Sequence, residues 1–134
     1  MKKKIYLLLV VITVLMLQSA SVFAYENTET GTIGGNTVSI RVRNTIDSTQ
    51  RNAYAETWTS NPSTSVSVSA TFYWEDYSTL EFGSCYKSGG GYGSHSVSGD
   101  PVSGGRYYYK VVSNHGVSYN GERYTFNNLT TFVP

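Results

Sequence analysis

The sequence predicts an all-β protein: a small antiparallel β-sandwich, Ig-like or jelly-roll-like, of about seven or eight strands, behind a cleaved N-terminal signal helix. Three observations carry that expectation. Over Ser63–Trp74, Thr64, Val66, Val68, Ala70, Phe72 and Trp74 share one parity, while Ser63, Ser65, Ser67, Ser69, Thr71 and Tyr73 share the other. That alternation marks a strand with one buried and one wet face, whereas a helical period would scatter the valines around the circumference. Ser, Thr, Tyr and Val dominate the chain after its leader, where Leu80 and Leu129 are the only leucines, so strand formers outweigh helix formers. Finally, Asn120-Gly121 lies between two alternating runs and is the dipeptide that a type I′ hairpin turn requires.

The leader sets the expected compartment. Met1-Lys2-Lys3-Lys4 is a basic n-region, Ile5–Leu17 is an almost unbroken apolar run, and Val22-Phe23-Ala24 supplies a small-residue cleavage site. The apolar run is shorter than the roughly 20 residues a spanning helix needs. The expected organisation is a signal peptide over 1–24, a loose N-terminal segment over 25–31 and a single domain over 32–134. No lipid-attachment cysteine follows the leader, and no second apolar segment or wall-sorting pattern closes the chain. The expected product is therefore released outside the cell, without stable membrane insertion. Beyond Ala24 the chain carries seven Lys/Arg against nine Asp/Glu, a formal net charge of −2. That balance offers no electrostatic footprint for nucleic acid. Cys85 stands alone, so no internal disulfide forms, and a secreted domain without staples points to a bacterial source.

Taken in order, Thr32-Ile33, the turn Gly34-Gly35-Asn36 and Thr37–Arg43 read as strand, turn and strand, with Val38, Ile40 and Val42 on one face. Asn44–Thr49 reads as a loop. Gln50–Thr59 is expected as a strand, although Asp47 with Gln50 and Tyr54 with Trp58 also fit helical spacing. Asn61-Pro62 then turns into the Ser63–Trp74 strand. An even-numbered loop there pairs Thr57 with Val66 and Ala55 with Val68, leaving Tyr54 and Trp58 among the outer serines; an odd loop swaps the faces. The next strand is expected over Thr79–Tyr86, with Leu80 and Phe82 facing inward and Gly83 as a bulge. Ser88–Ser94 reads as a glycine-rich flexible loop, and His95–Ser98 as a short strand at most. Arg106–Tyr119 alternates again, with Tyr107, Tyr109, Val111, Ser113, His115 and Val117 inward and Tyr108 outward. The Asn120-Gly121 turn pairs Val117 with Tyr124 and His115 with Phe126, and Leu129–Val133 supplies a last edge strand. Ser94–Ser98 faintly echoes Asn114–Ser118, a likeness that so Ser-rich a chain produces readily.

Residues of catalytic type do not assemble into a recognisable motif. Cys85 with His95 or His115 is the only route to a Cys–His nucleophile, and Gly83-Ser84-Cys85-Tyr86 carries no supporting signature. His115 falls on the apolar parity, where a satisfied core histidine explains it. His95, His115, Asp100 and Cys85 lack zinc-ligand spacing, so no metal is expected. Glu56, Glu75, Asp76 and Glu81 are the carboxylates available for glycoside hydrolysis, but two sit in a turn and two read as solvated strand residues. Gly89-Gly90-Gly91 opens no helix and lacks the Lys-Ser/Thr of a phosphate loop. No cofactor is expected.

The aromatic content is the more informative feature. Eleven tyrosines and two tryptophans follow the leader. In the even-loop register Tyr54, Trp58 and Tyr73 share an outer face with Ser65, Ser67, Ser69 and Thr71, and alternation sends Tyr108 outward as well. Flat rings and hydroxyls suit the C–H faces and hydroxyls of a glycan, or a protein surface. Tyr54, Trp58, Tyr73 and Tyr108 are accordingly the candidate binding residues. The expected function is surface binding by a secreted, non-enzymatic β-sandwich, with a cell-envelope glycan or protein as partner. A secreted antimicrobial or toxin-like protein is the alternative: small all-β bacteriocins share this size class and Tyr/Ser/Gly bias, although their motif spacing is absent here. A small secreted hydrolase is third.

Overall fold

The computed structural model describes residues 24–134. The signal peptide expected over 1–24 thus lies, but for Ala24, outside the described residues. Eight strands form two four-stranded antiparallel sheets packed as a β-sandwich: β1 (Tyr25–Ile33), β2 (Val38–Ile46), β3 (Ala53–Thr59), β4 (Ser65–Asp76), β5 (Glu81–Tyr92), β6 (Ser94–Ser98), β7 (Arg106–Tyr119) and β8 (Glu122–Phe132). The first sheet has the order β1-β2-β3-β6 and the second β5-β4-β7-β8. Both are built wholly from residues that follow Ala24.

β4 is the strand around which the second sheet is arranged. It pairs over its whole length with β5 on one side and β7 on the other. Val66, Val68, Ala70 and Phe72 are buried, as their alternation requires, and the serines between them face outward. β3 and β4 are not a hairpin, however. The chain between them crosses from one sheet to the other, so Thr57 pairs with Val42 and His95 and not with Val66. Parity survives the error: Ala53, Ala55 and Thr57 do face the core, and Trp58 faces out. Parity is a local property, whereas the partner of a strand depends on which sheet its ends can reach.

Other segments differ from expectation. Asn44–Ile46, read as the start of a loop, ends β2 and is paired on both sides, with Tyr25–Asn27 and Ala53–Ala55. The loose 25–31 segment is most of β1, paired from Tyr25 opposite Ile46 to Ile33 opposite Val38; backbone hydrogen bonds hold it despite its polar side chains. The expected glycine loop over Ser88–Ser94 is largely β5, whose Gly89, Gly90 and Gly91 pair with Val68, Ser67 and Val66. Glycine is required there and at Gly83 by close approach: a Cβ on Gly83 would overlap the Trp74 indole, and one on Gly89 the His95 ring. Gly83 opposite Trp74 sets the β4–β5 register, so Gly83 and Cys85 take the inner parity and Leu80 and Phe82 are exposed.

In β7 a bulge opposite Tyr73/Trp74 leaves Tyr109 as an extra residue, since Tyr73 pairs with Lys110 and Trp74 with Tyr108. One inserted residue reverses the parity beyond it. Tyr108 therefore turns inward and is fully buried, contrary to the alternation, while Tyr109 faces out. The Asn120-Gly121 turn behaves as its residues require, both at positive φ (49° and 81°), and it pairs Val117 with Tyr124 and His115 with Phe126.

The core is divided. Phe72, Tyr108, Val111, Ile46 and Val68 anchor one apolar cluster, and Val38, Ile40, Val42, Val117 and Leu129 anchor a second. Between them along the strands lies a polar layer of Asn44, Thr57, Ser113 and His115, all buried. Buried polar groups cost free energy unless they are hydrogen-bonded. Here Thr57 Oγ1 lies 2.8 Å from His115 Nδ1, Ser113 Oγ lies 2.7 Å from Nε2, and the Asn44 amide donates to Leu129 O at 2.7 Å. The layer therefore ties β2 and β3 of the first sheet to β7 and β8 of the second.

Candidate binding face

The outer face of the first sheet gathers planar polar and aromatic side chains from three strands. Strand register sets Arg41 opposite Trp58 and Trp58 opposite Ser94, then Arg43 opposite Glu56 and Glu56 opposite Ser96. Alternation on β2 and β3 is what turns these residues outward, because Val42, Ala55 and Thr57 between them fill the core. Glu56 Oε1 sits 3.5 Å from Arg41 Nη2 and 3.2 Å from Arg43 Nη2, and Arg43 Nη1 reaches Glu26 Oε2 at 3.4 Å. The Arg41 guanidinium lies 5.4 Å from the Trp58 ring and that of Arg43 lies 5.7 Å from the Tyr54 ring.

Such exposed ion pairs contribute little to folding, on the order of 0–1 kcal/mol each. Their consequence is orientation: Arg41, Glu56 and Arg43 hold one another in fixed attitudes beside Trp58. Burial works against the Arg43 charge, but Glu56, Tyr54 and Glu26 outweigh it and raise its pKa further. Trp58 is 40% exposed although large and apolar. A cleft of about 620 Å³ opens on this face, lined by Arg41, Arg43, Glu56, Trp58, Ser94, His95 and Ser96. Chemically the face offers a ring for stacking, a bidentate donor, a carboxylate acceptor and two hydroxyls.

The four residues expected to bind do not share one face. Tyr54 and Trp58 lie together on the first sheet. Tyr73 lies on the outer face of the second sheet, where its ring centroid is 6.4 Å from that of Tyr109. Tyr108 belongs to the core: its hydroxyl donates to Asp100 O and lies 3.9 Å from Cys85 Sγ. Burial first, then Cys85 and Asp100, push the Tyr108 phenol well above the ordinary tyrosine range. Arg41, Arg43, Ser94 and Ser96 were missed as site residues. Alternation in Thr37–Arg43 already turned the arginines outward, but nothing local says that β2 lies beside β3.

The residues of catalytic type are apart. His115 is held in the core, and burial lowers its pKa from 6.5 to about 4. Its tautomer follows from the neighbouring bonds. The Asn44 amide nitrogen donates to Leu129 O, so Asn44 Oδ1 faces Ser113 and accepts the Ser113 proton at 2.6 Å. Ser113 has no second proton for the imidazole, so Nε2 carries one and donates to Ser113 Oγ. Nδ1 is then bare and accepts from Thr57. Cys85 has Tyr108, not an imidazole, as its side-chain neighbour. His95 lies over Gly89 and Gly91, between the sheets. Asp76 is enclosed by its own turn and Glu56 by its two arginines. Among the described residues, no three His, Cys, Asp or Glu side chains converge as metal ligands would. Another groove, of about 470 Å³, crosses the second sheet, with Ser67, Ser69, Gly90, Asn114, Gly116 and Arg123 in its lining.

Comparison with models of protein families, with curated proteins and with solved structures finds no match to this chain.

Proposed function

We propose that this protein is a secreted, non-enzymatic binding protein that holds a cell-envelope glycan on the outer face of its first sheet. The observation that carries the reading is the exposed Trp58 ring beside side chains already fixed by the Arg41–Glu56–Arg43 ion pairs. A pyranose presents a face of C–H groups and an edge of neighbouring hydroxyls. An indole covers the first, and a guanidinium and a carboxylate satisfy the second. Because the polar groups are held before the ligand arrives, less ordering entropy opposes binding. The signal-like leader supports export to where such glycans occur. The enclosed state of His115 and the separation of Cys85 from both imidazoles favour binding over hydrolysis.

Tryptophan fluorescence tests the reading. In a Trp74→Phe background Trp58 is the single tryptophan after the leader, and soluble peptidoglycan fragments or envelope polysaccharide are expected to quench it in a saturable way. Trp58→Ala is expected to weaken retention on the insoluble polymer at least tenfold, since a stacked ring contributes on the order of 1.5 kcal/mol or more. Retention that Trp58→Ala and Arg41→Ala both leave unchanged would remove this face from consideration.

A further inference from the structure

The outer face of the first sheet is irregular beside the Arg41–Glu56–Arg43 ion pairs. Among the described residues, three buried side-chain polar atoms have no hydrogen-bond partner within the protein: Arg43 Nε, Thr45 Oγ1 and Thr64 Oγ1. Thr64 stands apart, at the turn before β4. Arg43 and Thr45 are two residues apart on β2 and so share one face. Alternation makes that face the outer one, because Asn44 and Ile46 on either side of Thr45 fill the core. Thr45 is nevertheless only 3% exposed. A buried polar atom without a partner costs free energy, so two of them side by side on one surface call for a cause.

Register shows what covers Thr45. Its partners across the sheet are Glu26 on β1 and Tyr54 on β3, whereas those of Arg43 are Thr28 and Glu56. The Arg43 guanidinium nonetheless reaches Glu26 Oε2 at 3.4 Å and lies 5.7 Å from the Tyr54 ring, while keeping Glu56 Oε1 at 3.2 Å. Its head therefore leans along β2 over Thr45. Both terminal nitrogens are engaged by carboxylates, which leaves Nε–H as the unused donor. The Thr45 hydroxyl can donate as well as accept, yet the two neighbours do not bond each other. A single group that accepts from Nε–H and shares a hydrogen bond with Oγ1 would satisfy both. Glu26 and Glu56 flank the place and repel an anion there. A neutral hydroxyl meets the requirement.

We infer that Thr45 is a subsite of the glycan-binding face, roofed by the Arg43 guanidinium, that takes a protruding hydroxyl of the bound saccharide. That hydroxyl accepts from Arg43 Nε–H and donates to Thr45 Oγ1. The inference rests on the glycan reading and specifies the ligand further. Entry requires the guanidinium head to lift, and the ion pairs that hold it are of the exposed kind that stabilise little. Arg43 already lines the cleft beside Trp58, so lifting its head extends that cleft towards Thr45. Trp58 stands four residues from Tyr54, the partner of Thr45, which is roughly 14 Å along β3 at about 3.4 Å per residue. One sugar ring stacked on the indole does not span that distance. The ligand is therefore an oligosaccharide, neutral at this end, running along β3 from Trp58 to Tyr54.

Retention on insoluble peptidoglycan, measured beside the urea midpoint of each variant, tests the inference. Thr45→Val keeps the shape of the side chain and removes its hydroxyl. It is expected to fold with an unchanged or higher midpoint, because an unpartnered hydroxyl is gone. It is nevertheless expected to bind about five- to tenfold more weakly, the loss of one hydrogen bond to the ligand. Thr45→Ser keeps the hydroxyl and is expected to retain most of the affinity. Thr45→Val that binds as wild type does, while Trp58→Ala binds weakly, would overturn the subsite and leave the glycan reading standing. A lowered midpoint for Thr45→Val would overturn it too, since the hydroxyl would then serve the fold through a bound water. If the wild-type protein is not retained, or if Trp58→Ala and Arg41→Ala are retained as well as it is, the glycan reading falls and the subsite falls with it.

Discussion

Acid is expected to loosen this protein through one residue. His115 is neutral in the core, with Nε2–H donating to Ser113 and Nδ1 accepting from Thr57. A proton added at Nδ1 requires the Thr57 hydroxyl to turn away, towards Ser67 O at 3.2 Å, and places a charge in a layer that holds no carboxylate. Burial accordingly lowers the pKa from 6.5 to about 4. An unfolded chain binds this proton first, so the stabilisation is complete above about pH 6.5 and is lost as the pH falls towards 4. The total is roughly 3 kcal/mol, of which about 1 kcal/mol is gone near pH 5.5 and about 2.5 kcal/mol near pH 4.5. Two carboxylates act in a lower window, below about 4. Asp76 is held below its ordinary range by Ser78, and so is Asp47, where Asn52 and Thr49 outweigh the opposing effect of burial. Urea denaturation of a His95→Gln variant, followed by tryptophan fluorescence from neutral pH down to about 4.5, isolates the His115 contribution. A His115→Gln variant, which has no imidazole to titrate, is expected to lose most of that pH slope. Stability that stays flat over this range in the His95→Gln background would refute the assignment of His115 as a neutral tie between the sheets.

Two further outcomes follow from the packing. Gly83→Ala sets a methyl group against the Trp74 indole and is expected to cost about 1–3 kcal/mol, seen as a lowered urea midpoint with an unchanged slope; a neutral result would mean that Trp74 moves aside freely. Tyr108→Phe keeps the buried ring and removes the hydroxyl, with its hydrogen bond to Asp100 O and its contact with Cys85 Sγ, so about 1 kcal/mol of destabilisation is expected, against about 3–5 kcal/mol for Tyr108→Ala. If the two variants lost stability equally, the hydroxyl, and not the ring, would be what matters at this position.

The face that each side chain takes was largely legible in the sequence, because alternation is a property of the extended backbone itself. Val66, Val68, Ala70 and Phe72 could only line a core, and Asn120-Gly121 could only turn a hairpin, since both positions need positive φ. Alternation put Tyr54 and Trp58 on one face but left open which, since an odd loop at Asn61-Pro62 would have turned them inward; the structure turns them outward. Neighbours across the sandwich were not legible. That β3 pairs with β2 and β6 depends on a crossing between the sheets around Asn61-Pro62, which no local pattern records. Tyr73 was thereby separated from Trp58, and Arg41 was brought to it. A single extra residue at Tyr109 reversed the parity of β7 and carried Tyr108 inward, because a bulge is stabilised by what fills the space on the partner strand and not by its own sequence. Likewise Leu80 and Phe82 looked like core residues until Gly83 took the place opposite Trp74, where a glycine is the residue that leaves room for the indole. Composition and period alone thus determined an all-β chain with its inner and outer faces. Long-range packing decided which outer residues meet, and so where this protein has surfaces to bind with.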